Sequence, residues 1–280
     1  MEWIFTDSAC ALYGLTSVPL YNSLEQKALA FILEDTNAQT IFIETDLIME
    51  FYKLVEKGYK SKLKNVVVMD TVMLKSNTEK TLQKLKTHHG FKIYKFEEIL
   101  KAGEANPKPY KKTDPEDVHS LCYTSGTTGN PKGAILINRN FVSNVKAVIT
   151  KYMQDCFNGE PFRHLSYLPL ANIWERVNFL MCLYARGKFG LCGGDVRNLG
   201  ESLKILKPNV MIAVPRIYNK FYATIKDSLK NAPKVQKEYI EKAIAEKIHR
   251  LRTYGEYKHK IHDAAIFNKF KSVLGGNIQC

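Results

Sequence analysis

Residues 123–133 read YTSGTTGNPKG, placing three glycines, four small hydroxyl residues and one lysine within eleven positions. A helix or strand interior tolerates neither that glycine density nor that polarity, so the chain must turn here. The run VHSLCY precedes the segment and GAILI closes it, both apolar enough to read as strands. The segment is therefore expected to join two strands. Gly126, Gly129 and Gly133 allow positive φ and close approach of a bulky anion, and successive backbone N–H groups in such a loop form an anion-binding nest. Thr124, Ser125, Thr127 and Thr128 add hydroxyls that donate to phosphate oxygens or hold a hydrated Mg²⁺. Lys132 adds a mobile positive charge, and Pro131 restrains the backbone before it. A polyphosphate fits this chemistry. A plain solvated turn needs fewer glycines and no such series of hydroxyls. The spacing also departs from G-x-x-x-x-G-K-[ST], because Lys132 follows proline and Gly133 stands where Ser or Thr belongs. No G-x-G-x-x-G opens a helix here, so a nicotinamide or flavin fingerprint is absent.

The elements upstream point to an α/β protein with helices on both faces of a mostly parallel sheet. GLTSVPLY reads as a short buried strand. A helix is expected from Ser23, with Gln26 completing a capping box and Leu24, Ala28, Phe31 and Ile32 on one face. TIFIE reads as a strand, and LIMEFYKLVEKG as a helix capped by Asp46 and stopped at Gly58. NVVVMD has the β-branched run of a strand covered on both faces, and FKIYKF reads as an edge strand. The proline-rich, charged stretch KAGEANPKPYKKTDPED reads as a linker, giving expected subdomains 1–113 and 114–280. NRNFVSNVKAVITKYM follows as a helix started by Asn138 or Asn140.

Charge and cysteine content exclude some classes. The formal charge is +13, with thirteen lysines and arginines against six acids between Asn219 and Ser272. Such a surface suits phosphate-bearing ligands, nucleic acid or anionic membrane, and charge alone does not choose among them. No nucleic-acid-binding motif accompanies it, so no nucleic-acid partner is expected. The six cysteines are too scattered for a disulfide framework or a C-x-x-C site and read as reduced thiols. The apolar run near Phe179 is too short to span a bilayer. No metal-ligand constellation is legible among the histidines at 88, 89, 249, 259 and 262, which read as surface residues.

YTSGTTGNPKG closely resembles the phosphate-loop signature of the adenylate-forming enzymes. HLSYLPLANIWERVNFL (164–180) is similar to the stretch of long-chain acyl-CoA synthetases that usually reads Y-L-P-L-A-H-x-x-E-R. GGDVRNLGESLKILKPNVMIAVPRIYNKFY (193–222) is similar to the segment of those enzymes that holds G-D-I-R and V-P-R. The resemblance implies the large N-terminal domain of that fold, partial at both ends, and an ATP phosphate site at residues 124–129 and 132. It also implies an active-site wall or acyl channel carrying Asn172, Trp174, Glu175 and Tyr218. The family's histidine is replaced by Asn172, which donates hydrogen bonds but carries no proton or positive charge. Without the resemblance, Trp174 and Glu175 read as core packing and an ion pair, and VPRIYNKFY as the start of an amphipathic helix.

The activity implied is a two-step one that uses ATP, Mg²⁺ and coenzyme A to turn a long-chain fatty acid into its acyl-CoA through an acyl-adenylate. The alternatives are a fatty acyl-AMP ligase or another acid–CoA ligase, and, in a different class, a non-catalytic basic module for nucleic acid or anionic membrane. The family's catalytic lysine and Mg²⁺-binding glutamate match nothing in this sequence, nor does its small C-terminal domain. The chain is therefore expected to be an internal fragment that does not make acyl-CoA alone. The expected location is the cytoplasm, or the cytosolic face of an internal membrane as a peripheral protein.

Overall fold

In the computed structural model, residues 1–59, 62–71, 75–124, 129–153, 160–193, 196–230 and 232–279 are described. They form two compact units, Met1–Asn144 with Pro169–Arg176, and Val145–Leu168 with Val177–Cys280. This division differs from the one expected at Thr113, because the strands flanking the glycine-rich segment belong to the first unit.

The first unit contains α1 (Glu2–Tyr13), α2 (Gln26–Asp35), β1 (Thr40–Glu44), α3 (Ile48–Glu56), β2 (Asn65–Met69), α4 (Ser76–His89), β3 (Lys92–Lys95), α5 (Phe96–Ala105), β4 (Val118–Thr124) and β5 (Lys132–Ile137). β1, β2 and β3 pair in parallel in that order, with Ile41 beside Val66 and Val66 beside Ile93. The β-branched run occupies the middle strand and is buried on both faces. Val66 and Val68 pack with Ile48, Phe51, Val55, Leu82 and Leu85, while Val67 and Met69 pack with Phe96. Each such side chain removed from water stabilises the unit by about 1.5–3 kcal/mol.

Several local expectations change. GLTSVPLY makes only a single bridge, Ser17 to Ser120, because Pro19 has no N–H with which to extend a ladder. α2 begins at Gln26 rather than Ser23: the backbone N–H of Leu24 bonds the carbonyl of Tyr21, so Ser23 lies in a turn. Asp46 falls in a 3₁₀ turn before α3 and makes no side-chain cap. Helix α5 extends through Ala105, shortening the expected linker.

The helix α6 (Asn138–Val148) carries the chain into the second unit, which holds β6 (Arg163–Ser166), most of α7 (Ile173–Tyr184), β7 (Lys188–Leu191), α8 (Leu199–Leu206), α9 (Pro215–Lys230), α10 (Lys234–Tyr254), α11 (Lys260–His262) and α12 (Asn268–Val273). β6 and β7 are parallel. Leu165, Leu199, Leu203, Met211 and Ile217 form its main core, and Ile240, Ala243 and Ile266 form a second cluster. The buried Asn209 holds the turn into β6, accepting the N–H of Arg163 at 2.8 Å and donating to the carbonyl of Pro161 at 3.0 Å.

Candidate functional site

The glycine-rich segment does join two strands. β4 and β5 are antiparallel, with Tyr123 opposite Gly133 and Thr124 opposite Lys132. Thr124 and Lys132 thus flank the mouth of the loop from both sides, and both are exposed. Ser125, Gly126, Thr127 and Thr128 lie outside the described residues. Gly129 has φ of 103°, a conformation that an L side chain rarely adopts. Gly133 serves a different need: a Cβ there would stand 2.9 Å from the ring of Tyr123. That ring lies across the hairpin, and its hydroxyl donates to Oδ2 of Asp35 at 2.5 Å. Burial and the Asp35 carboxylate push the Tyr123 phenol up to about 12. The loop is therefore anchored on its β4 side to the end of α2.

Arg176 fixes the strand that feeds the loop. It is 1% exposed and grips Asp7 with two nitrogens, Nη2 to Oδ1 at 2.9 Å and Nε to Oδ2 at 3.1 Å. Nη1 donates to the hydroxyl of Ser120 on β4 at 2.9 Å, and Nη2 to that of Ser17 at 3.0 Å. Its guanidinium also lies 5.2 Å from the Phe141 ring centroid. One planar fork thus joins α1, the Ser17 segment, β4 and the start of α7. This arginine lies within the stretch 164–180, where its residue type alone assigns it no role. Its spacing from Asp7, 169 residues away, carries no local signal.

Asn172 caps α7: its Oδ1 accepts the backbone N–H of Trp174 at 3.0 Å, and its carbonyl accepts that of Glu175 at 3.1 Å. Glu175 is fully buried beside Arg176 in the chain, whereas Trp174 is half exposed. Tyr218 lies on α9 in the second unit, where its hydroxyl donates to the carbonyl of Met211 at 2.9 Å. Burial raises its pKa above the ordinary phenol value. The structure thus brings Thr124, Gly129 and Lys132 to one hairpin, and places Asn172 and Glu175 in the turn of α7 whose Arg176 grips the feeding strand. Tyr218 stands in the other unit with its own partners.

A parallel α/β unit followed by a hydroxyl- and glycine-rich hairpin ending in lysine defines the class, an α/β fold. Solved structures share this fold. The adenylation domain of a carboxylate reductase from Mycobacterium chelonae superposes with a TM-score of 0.70 at 18% identity, over 95% of this chain and 38% of that one. A long-chain-fatty-acid-CoA ligase from Archaeoglobus fulgidus does so at 0.61 and 22%, over 81% and 40%. The AMP-binding enzyme family profile matches residues 1–268, and the chain belongs to that family. Its relatives include long chain acyl-CoA synthetase 7, peroxisomal, of Arabidopsis thaliana, 31% identical over 99% of this chain and 38% of the relative. Long-chain-fatty-acid--CoA ligase 1 of Homo sapiens is 32% identical over 99% and 39%. The chain therefore spans about two fifths of the length of these relatives.

Proposed function

We propose that this chain forms the triphosphate-holding part of a ligase that activates long-chain fatty acids with Mg·ATP and passes the acyl group to coenzyme A. The observation that carries the reading is the Thr124–Lys132 pair across the hairpin mouth, within a sequence whose relatives are named as long-chain acyl-CoA synthetases and ligases. A carboxylate is a poor acyl donor because its leaving group would be oxide. Attack of its oxygen on the α-phosphorus of ATP gives an acyl-adenylate and pyrophosphate, and the coenzyme A thiol then displaces AMP. Catalysis of the first step is largely positioning and charge neutralisation.

The residues present fit that task. Lys132 supplies positive charge where the β- and γ-phosphates would lie, and the Thr124 hydroxyl and the Gly129 backbone supply donors without like charge. Bound Mg²⁺ would neutralise further phosphate charge, with the loop hydroxyls holding its waters. Arg176 and Asp35 act indirectly by holding β4 and Tyr123 in place. Asn172 supplies no proton, so the α-phosphate end depends on hydrogen bonding and on groups other than this side chain.

The test is equilibrium binding of Mg·ATP and of inorganic tripolyphosphate to the chain and to Lys132→Ala. Losing one charge-assisted phosphate contact, worth about 1.5–3 kcal/mol, is expected to weaken both ligands roughly tenfold to a hundredfold. Unchanged affinity in the variant removes Lys132 from the site. The substrate class is tested by ATP–pyrophosphate exchange with acids of different length in the complete gene product.

The same reading includes a peripheral contact with anionic membrane. Among the described residues, no helix is long and apolar enough to cross a membrane. Ile244, Ile248 and Leu251 recur on one side of α10 and stay exposed in a lysine-rich region, a pattern suited to lying on a lipid surface. The cytosolic face of an internal membrane is the location this supports.

A further inference from the structure

Where α10 meets the segment around α11, three side chains converge that the sequence does not connect. Glu246 lies on α10, and His259 and His262 flank the start of α11. Nε2 of His259 is 3.0 Å from one Glu246 oxygen, and Nε2 of His262 is 2.9 Å from the other. The three ligand atoms all lie within 4.8 Å of one another. The two imidazoles stack with centroids 4.1 Å apart and planes 18° apart. Each histidine side chain is only 12% exposed, while that of Glu246 is 50% exposed, so the cluster is built on one side and open to solvent on the other.

The surroundings are arranged for a cation. Lys247, the nearest positive neighbour in the chain, is paired with Asp263, whose second oxygen accepts the backbone N–H of His259 at 3.0 Å. The Tyr239 hydroxyl lies 3.1 Å from Nδ1 of His262, in the place of the outer hydrogen-bond partner that orients a metal-binding imidazole.

We propose that Glu246, His259 and His262 bind one divalent transition-metal ion, with zinc the best match to two imidazole nitrogens and a carboxylate oxygen. The ion would tie the C-terminal half of α10 to α11, and water would complete its coordination. Binding changes the proton positions. In the metal-free arrangement Nδ1 of His259 accepts the backbone N–H of His262 at 3.2 Å, so the imidazole proton resides on Nε2 and points at Glu246. Coordination through Nε2 moves that proton to Nδ1 by way of solvent and opens the long cap bond. For His262 the same change leaves Nδ1–H donating to Tyr239. This corrects the expectation that His259 and His262 are surface residues outside any metal-ligand constellation: both side chains are largely buried, and the third group, Glu246, lies on another helix, thirteen residues before His259. The site is independent of the triphosphate reading, and either can fail without the other.

The experiment is a Zn²⁺ titration of the metal-stripped 280-residue chain by calorimetry, with the thermal midpoint and the histidine tautomers followed by long-range ¹H–¹⁵N NMR. The comparison set is Glu246→Gln, His262→Ala and the double variant His259→Ala/His262→Ala. Expected are a one-to-one binding event that raises the thermal midpoint, a shift of the His259 proton from Nε2 to Nδ1, and an affinity loss above about tenfold in each variant. The glutamine substitution keeps the side-chain shape, so it remains informative if a histidine variant fails to fold. Equal affinity in the unmodified chain and the variants overturns the proposal. Saturation that leaves both tautomers unchanged also overturns it, because zinc would then be held elsewhere, for example by a thiol.

Discussion

At the scale of residues, the site depends on two side chains that act in opposite ways. Lys132 is exposed and, in the proposed function, offers its charge to phosphate, whereas Arg176 is buried and spends its charge on the fold. Truncating Arg176 leaves the mostly buried Asp7 without its ion-pair partner and removes the guanidinium donor to the Ser120 hydroxyl. Arg176→Ala is therefore expected to lower unfolding free energy by about 3–5 kcal/mol in chemical denaturation. Arg176→Lys should recover little of it, since an ammonium cannot make the two-point grip. Tyr123 gives a pH-dependent counterpart. Its phenol is raised in the fold, so its contribution to stability is fully present below pH 10 and fades as pH rises from 10 towards about 12. Replacing Tyr123 by Phe should flatten the stability profile across that window and nowhere below it, as followed by circular dichroism. The chemistry of the loop was legible from residue types alone, because glycine, hydroxyl and lysine each have a local reason to be there. The Arg176–Asp7 clamp was not, since its members meet only after folding.

Secondary-structure elements show the same divide. NVVVMD announced a strand covered on both faces, and its four residues Val66–Met69 are all buried in the middle of a parallel sheet. TIFIE and FKIYKF fell at the two edges. Caps were less legible: neither Ser23 nor Asp46 begins a helix, because short backbone turns claim both positions. Asn172 shows the converse. The family resemblance implied a residue of an active-site wall or acyl channel, and in the fold its side chain closes the first turn of α7. Asn172→Ala should cost about 1 kcal/mol of stability in a denaturant titration, while Asn172→Asp should cost far less. A neutral result for alanine would show that the cap contributes nothing.

Over the whole molecule, basic charge and the family match set the expectations. A net charge of +13 with exposed Ile244, Ile248 and Leu251 predicts sedimentation with anionic liposomes that weakens steeply as salt screens the lysines. Salt-insensitive sedimentation would assign the contact to apolar insertion alone. The α/β class was legible because strand and helix periods alternate through the first hundred residues. The compact units were harder to see, since the chain returns at Pro169–Arg176 to complete the unit it left at Asn144. That return sets Arg176 of α7 against Ser120 of β4, upstream of the loop on which the functional reading rests. Hydrogen exchange across residues 124–132 with and without nucleotide tests that reading most directly. Added Mg·ATP or tripolyphosphate should slow exchange at Gly129 and Lys132 while AMP leaves them unchanged. Protection confined to other segments, with this hairpin exchanging as before, would contradict it.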